Sequence, residues 1–367
     1  MKLRFKIAYG FIILLVVSVT LLAVALSFNS KCGPAPGIAA DAKLMKAVVY
    51  RCYGSPDVLK IEDVVKPSVT DEGILIKIRS ASVNPLDWHY MRGSPYIMRM
   101  QLGLGAPKRS RLGVDFAGTV ETIGRNVSQF KPGDEVFGGA SGAFAEYIVM
   151  PETASVIRKP ANITFEQSAA TGIAGITALQ ALRDHGKLKA GEKVLINGAS
   201  GGVGTFAVQI AKSFDAEVTG VCSTKNLDLV RSLGADHVID YTRDNYTAGD
   251  ERYDLIIDMV GNHSVRVNSR VLKPDGRLIV IGARKGDWIR PLRGVIESLL
   301  LSPFIKKEVK FFVAQFSKED LSTLAELMQE GKVTPVIDRH YPLNETAAAV
   351  RYSETGRARG KIIINMD

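Results

Sequence analysis

The chain is poor in cysteine: Cys32, Cys52 and Cys222 are all it has. So few and so scattered a set supplies neither a disulfide framework nor a cysteine-rich zinc site, and it fixes no redox compartment. A strong excess of one charge is missing too. The net charge is +9, and four of those charges fall in the first 43 residues, where five Lys/Arg face one Asp. The mildly basic remainder gives no ground for nucleic-acid binding. Charge is absent altogether from Ile7 to Phe28, "IAYGFIILLVVSVTLLAVALSF", a run of 22 positions.

A helix of that length matches a hydrocarbon core of roughly 30 Å, so residues 7–28 are expected to form a transmembrane anchor, with membrane lipid as partner. A secretory signal has an apolar region of only about 7–15 residues, although Ala23-Val24-Ala25 resembles a cleavage site. Lys2, Arg4 and Lys6 precede the run while Lys31, Lys43 and Lys46 follow it, so the positive-inside bias nearly cancels. The expectation is a single-pass membrane protein whose body faces the cytoplasm.

Residues 29–45 contain "GPAPGIAADA", a composition that cannot bury enough apolar surface to fold and reads as a linker. From 46 to 162 short alternating runs such as "ILIKIRS" (74–80) and "GTVETIG" (118–124) are separated by turn signals, which argues a small β-barrel-like unit. From 163 to 305 strands alternate with helices: "KVLIN", "EVTGVC", "YDLIID" and "RLIVIG" are short, continuously apolar and β-branched, as a parallel sheet covered on both faces requires. The stretch 306–367 holds a helix opened by Ser317 and closes on the strand "KIIIN".

Between "KVLIN" and an apolar-periodic helix lies Gly198-Ala199-Ser200-Gly201-Gly202-Val203-Gly204. In the dinucleotide fingerprint G-x-G-x-x-G, glycines permit a tight turn, let the backbone approach a pyrophosphate and allow close helix packing. Taking Gly204 as the third glycine makes Gly201 the second and Ala199 the first. The phosphate would rest on the free N–H groups and positive end of the helix. An acid about 20 residues further on would hold a ribose 2'-hydroxyl. Ser223 stands 19 residues after Gly204 and Lys225 follows it, so the acid is lacking and a 2'-phosphate can be accommodated. The expected cofactor is NADPH.

With these residues in view the chain resembles the medium-chain dehydrogenase/reductase superfamily, in its zinc-independent quinone oxidoreductase (zeta-crystallin-like) branch. The resemblance covers about 46–367. It rests on "SASVNPLDWHYMRG", "LGVDFAGTVETIG", "FKPGDEVFG", "GITALQAL", "NGASGGVG", "LGADHVIDY" and "RGKIII" in that order. It implies an α/β protein in which a GroES-like β-barrel domain, completed by the last part of the chain, clasps a doubly wound Rossmann domain, with the active site between them. It implies too that Asn84 and Thr177 lie near the nicotinamide and that Ser223, Lys225 and Tyr241 surround the 2'-phosphate. Asn197, Val260, Gly282 and Lys361 complete the expected cofactor contacts, and a homodimer is common among such proteins.

Zinc alcohol dehydrogenases carry a ligand Cys where this chain has Asn84 and a Gly-His-Glu where it has Gly113-Val114-Asp115. Neither Asn84 nor Val114 can replace a thiolate or imidazole, so no metal is expected. Hydride transfer to a quinone or an α,β-unsaturated carbonyl suits such a site, because conjugation delocalises the arriving charge. Asn84, Asp87 and Tyr96 are the candidate catalytic residues. Asp87, His89, Tyr90 and Tyr96 can equally be packing or surface groups. A 2-enoyl thioester reductase and a non-catalytic NADPH-binding protein are the alternatives. A basic patch of Arg284, Lys285, Arg290, Arg293, Lys306 and Lys307, with Phe304, Phe311 and Phe312 nearby, reads as a solvated loop beside a lid or dimer helix, or as a lipid-facing surface.

Overall fold

The computed structural model describes residues 2–282, 286–288, 297 and 307–366, side chains excepted at 2–8 and 11. Of the basic and aromatic patch, Arg284, Lys285, Arg290, Arg293, Phe304 and Lys306 lie outside the described residues. Lys307 lies within them and donates to the carbonyl oxygens of Ser269 and Leu272. Phe312 packs against the α/β core beside His185, while Phe311 is exposed.

The first region builds an antiparallel sheet around β3 (Gly73–Val83), which pairs with β4 (Asp115–Ile123) and with β6 (Tyr147–Pro151). Beyond β4 lie β5 (Glu135–Gly139) and β7 (Val156–Arg158). A separate two-stranded ribbon joins β1 (Leu44–Val49) to β2 (Lys60–Val65). The inward residues of these strands, Ile74, Ile76, Ile78, Phe116, Val120, Val136 and Ile148, form one apolar core. At the other edge the sheet is completed from the end of the chain: β15 (Lys361–Asn365) pairs antiparallel with β3, and β14 (Ile337–Pro342) pairs parallel with β15.

The α/β region is a parallel sheet in the order β10 (His237–Asp240), β9 (Glu217–Cys222), β8 (Lys193–Asn197), β11 (Tyr253–Asp258), β12 (Leu272–Val280) and β13 (Glu308–Phe311). Strand order reverses between β8 and β11, which makes the crevice at their carboxyl ends the ligand-binding position of a doubly wound fold. Val194, Ile196, Leu255 and Ile257 are wholly buried, as expected of strands covered on both faces. Helix α3 (Phe165–Gln180) opens on a Thr164–Gln167 capping box and packs against the antiparallel sheet and against the helix Gly202–Ser213 of the α/β region, joining the two.

The expectation of a membrane anchor at 7–28 is corrected. Helix α1 (Lys2–Ser27) does form, yet among the described residues no helix is long and apolar enough to cross a membrane. The last turn of α1 is tied to the protein. Leu26 is buried, and the guanidinium of Arg99 donates to the carbonyl oxygens of Leu26 and Phe28, both at 3.0 Å. Leu21, Val24, Ala25 and Phe28 face Leu104 and Gly105 across a small apolar cleft. Hydropathy reads the run as apolar but does not reveal the docking of its last turn, and the single-pass membrane placement and the lipid partner fall with the anchor.

The cysteines also depart from expectation. Cys32 and Cys52 form a disulfide with a Cα–Cα distance of 4.6 Å, fastening the segment after α1 to the loop after β1, while Cys222 is free and buried. Two cysteines 20 residues apart carry no pairing signal of their own.

Candidate active site

The glycine loop joins β8 to α4 (Gly202–Ser213). The left-handed residue of its turn is Gly198 (φ 95°), one position before the Ala199 that the fingerprint spacing selects. Ala199 is buried and its N–H bonds to Val221 O on β9. A Cβ on Gly204 would stand 2.1 Å from Gly198 O, so only glycine lets α4 pack this close to the turn. On the outer side, a Cβ on Gly201 would meet nothing nearer than 3.5 Å. Gly201 is the N-cap of α4 and carries no side chain to cap it, which leaves the first amides of the helix without a side-chain partner. Bare amides, a helix dipole and a cradle that a side chain would fill are the donor set a pyrophosphate requires.

Beside the loop, Gly360 N donates to Ser200 O at 3.0 Å, and a Cβ on Gly202 would lie 3.1 Å from Lys361 Cδ. The end of the chain therefore brings Lys361 past the phosphate cradle into the first region. There its ammonium lies 2.5 Å from Asn84 Oδ1 and 3.6 Å from Asp115 Oδ2. Asn84 ends β3's return and starts α2 (Pro85–Arg92); its Nδ2 donates to Asp115 Oδ2 at 2.8 Å and to Ser82 O at 3.3 Å. Both ends of the Asn84 amide are thus committed to protein.

Asp115 is the hub. Besides Asn84, its carboxylate accepts from Ser82 Oγ at 2.9 Å and from Ile173 N at 2.8 Å. The last bond is made where α3 kinks at Gly172, and a Cβ there would sit 2.1 Å from Asp115 Oδ1. A carboxylate on the sheet of one region thereby fixes the helix that leads into the other. Thr177, one turn beyond the kink, is buried and donates to Ile173 O.

Asp87 is wholly enclosed and accepts Asn84 N at 2.7 Å and Gly113 N at 3.0 Å. Burial pushes its carboxyl up to about 7, against the pull of those two N–H groups. Burial likewise holds Lys361 below the usual lysine range, opposed by Asp115 and Asp87. Tyr96 stands apart from this network, half-buried between the guanidinium of Arg99 and the ring of Trp288.

A second polar cluster underlies the crevice. Asn197 Nδ2 donates to Asp258 Oδ1 at 2.9 Å and to Asn262 Oδ1 at 2.8 Å, while Val260 N and Gly261 N also point at Asp258 Oδ1. Asn197 therefore supports the loops from beneath. Val260 is exposed and Gly282 backs onto Met259, where a Cβ would lie 2.0 Å from the carbonyl oxygen. Beyond the cradle, Ser223 is half-buried and Lys225 exposed, and Tyr241 presents an exposed ring. Among the described residues no three His, Cys, Asp or Glu side chains converge to hold a metal.

Sequence reasoning singled out Asn84, Asp87 and Lys361 but missed Asp115 as the partner shared by Asn84 and Lys361. It also missed Asp258 and Asn226. Asp258 at the end of β11 and Asn226 in the turn after β9 were the available signal.

Fold and site together define a two-domain oxidoreductase built on a nicotinamide dinucleotide. Family models match residues 70–161 as an alcohol dehydrogenase GroES-like domain and residues 233–364 as a zinc-binding dehydrogenase. Quinone-oxidoreductase QR1 of Triphysaria versicolor is 37% identical over 340 residues, covering 88% of this chain and 98% of that protein. The NADPH-dependent alkenal/one oxidoreductase of Arabidopsis thaliana is 32% identical over 349 residues, 90% of this chain and 82% of that one. The solved quinone oxidoreductase of Coxiella burnetii superposes with a TM-score of 0.78 at 30% identity, over 89% of this chain and all of the other. The chain belongs to the medium-chain dehydrogenase/reductase superfamily and is an NAD(P)H-dependent oxidoreductase.

Proposed function

We propose that the chain is a zinc-independent, NADPH-dependent reductase that delivers hydride to quinones or α,β-unsaturated carbonyls. The observation that carries the reading is the open glycine cradle followed, at the end of β9, by Ser223 and the exposed ammonium of Lys225 instead of an acid. The similarity to a quinone oxidoreductase and an alkenal/one oxidoreductase supports the acceptor class.

When bound, the nicotinamide supplies the hydride. The protein's part is to bind, orient and exclude water. Amides at the start of α4 take the pyrophosphate, and Lys361 stands beside them with its charge held in reserve by Asn84 and Asp115. Asp115 fixes α3 against the sheet, so the two walls of the crevice keep one spacing. At the zinc-ligand positions Asn84 is already engaged on both ends and Val114 has no donor atom, so charge on the reduced acceptor must be met by hydrogen bonds or solvent.

The test is loss of nicotinamide absorbance when the full chain is mixed with NADPH and a panel of quinones, enals, enones and 2-enoyl thioesters. Turnover of quinones or enones is expected. Saturable NADPH binding with no turnover of any acceptor would overturn the catalytic reading, and turnover of thioesters alone would overturn the acceptor class.

A further inference from the structure

Helix α5 (Leu227–Ser232) begins after Asn226, a residue type that ordinarily caps a helix with its side chain. Asn226 makes no cap. Its side chain is turned away and buried, with 6% of the residue exposed. Nδ2 donates to Ser200 Oγ at 2.9 Å and to Ser223 Oγ at 3.3 Å. Oδ1 is buried and has no partner among the described residues. An orphaned buried acceptor costs free energy, so the side chain forgoes both a cap and a satisfied carbonyl to hold two hydroxyls.

Those hydroxyls come from the two places where a 2'-phosphorylated dinucleotide would be read. Ser200 is in the glycine loop after β8, and Ser223 directly follows the neighbouring strand β9. Their backbones are held as well: Gly360 N donates to Ser200 O at 3.0 Å, and Asn226 N donates to Ser223 O at 2.8 Å. Because each Oγ accepts from Nδ2, its own O–H is free to point elsewhere, and neither donates to a described residue. Two fixed O–H donors with the ammonium of Lys225 close by suit an anion with several acceptor oxygens. The nearby acid Asp240 is engaged by Thr224 Oγ1 at 2.5 Å and by Thr242 N at 3.0 Å, and lies 3.7 Å from Arg243 Nε.

Resting on the NADPH reading above, we propose that Asn226 is a specificity-determining positioning residue: its amide orients the Ser200 and Ser223 hydroxyls as paired donors to the ribose 2'-phosphate. It touches the hydroxyls and leaves the phosphate to them. An aspartate at 226 would reverse the arrangement, accepting both hydroxyl protons and adding a charge of the wrong sign.

The experiment compares the full-length wild type with Asn226→Asp and Asn226→Ala in two measurements. The first is kcat and KM for NADPH and for NADH with one quinone acceptor. The second is calorimetric binding of 2',5'-ADP and of 5'-ADP without acceptor. Asn226→Asp is expected to raise KM for NADPH and weaken 2',5'-ADP by roughly 50-fold, the range of lost charge-assisted hydrogen bonds. KM for NADH, 5'-ADP binding and kcat at saturating NADPH stay within about twofold of wild type, and NADH turnover reports that the variant is folded. Asn226→Ala loses about tenfold on the same selective pattern. Equal loss for both cofactors, or an unchanged preference for NADPH in both variants, overturns the role of Asn226 while leaving the NADPH reading intact. A wild type that binds 5'-ADP as tightly as 2',5'-ADP overturns that reading, and the role of Asn226 with it.

Discussion

Lys361 Nζ lies 2.5 Å from Asn84 Oδ1, so the last strand of the chain closes on a residue 277 positions earlier, beside the glycine loop. The contact places a buried ammonium among Asn84, Asp87 and Asp115, and it makes the crevice depend on the returning C-terminal strand. Replacing one member of a buried charged set leaves the others uncompensated. Lys361→Met is expected to lower unfolding free energy by about 3–5 kcal/mol, measured by urea denaturation. A change below about 1 kcal/mol would show that Lys361 contributes little to the network.

Gly172 and Asp115 give a steric prediction. A methyl group at 172 would meet the Asp115 carboxylate at 2.1 Å. Gly172→Ala is expected to destabilise by about 1–3 kcal/mol through overpacking, and to lower kcat/KM because it displaces the Asp115–Ile173 contact that sets α3 against the sheet. Thermal unfolding and steady-state kinetics check the two parts. A variant as stable as wild type would contradict the clash.

Asp87 gives a pH prediction with a definite sign. Its carboxyl is raised in the folded protein from 3.8 to about 7, so the folded state binds the proton more tightly than the unfolded one. The resulting stabilisation is fully present below about pH 4 and is lost as pH rises through about 7, by up to about 4 kcal/mol. Asp87→Asn cannot titrate, and it offers one acceptor where Asn84 N and Gly113 N need two. The stability difference between wild type and Asp87→Asn is therefore expected to shrink from pH 5 to pH 8 in chemical denaturation. A difference that is flat or grows with pH would contradict the assignment.

The disulfide is checked by counting thiols. Denatured but unreduced protein is expected to present one reactive thiol, that of Cys222, and reduction should release all three cysteines. Three thiols before reduction would remove the covalent link between Cys32 and Cys52.

How much of this was legible in the sequence depends on whether a feature is local. The β8–loop–α4 unit could be read because strand, glycines and helix are contiguous. The same reading put the turn on Ala199 and not on Gly198, since spacing alone does not reveal which residue takes the left-handed conformation. Asp115 was visible only as a departure from a zinc motif, because its partners Ser82, Asn84, Ile173 and Lys361 are scattered along the chain and meet only after folding. The helix at the start was foreseen from its apolar run. Its docking through Arg99 was not, because a guanidinium that binds carbonyl oxygens leaves no pattern in composition. The Cys32–Cys52 pairing was hidden for the same reason.

The most direct test of the account is a fluorescence titration of the full-length protein with NADPH and with NADH. The account predicts saturable binding of both, with NADPH at least about tenfold tighter, since one charge-assisted contact to the 2'-phosphate is worth that factor. Failure of either dinucleotide to bind, or tighter binding of NADH, would contradict it.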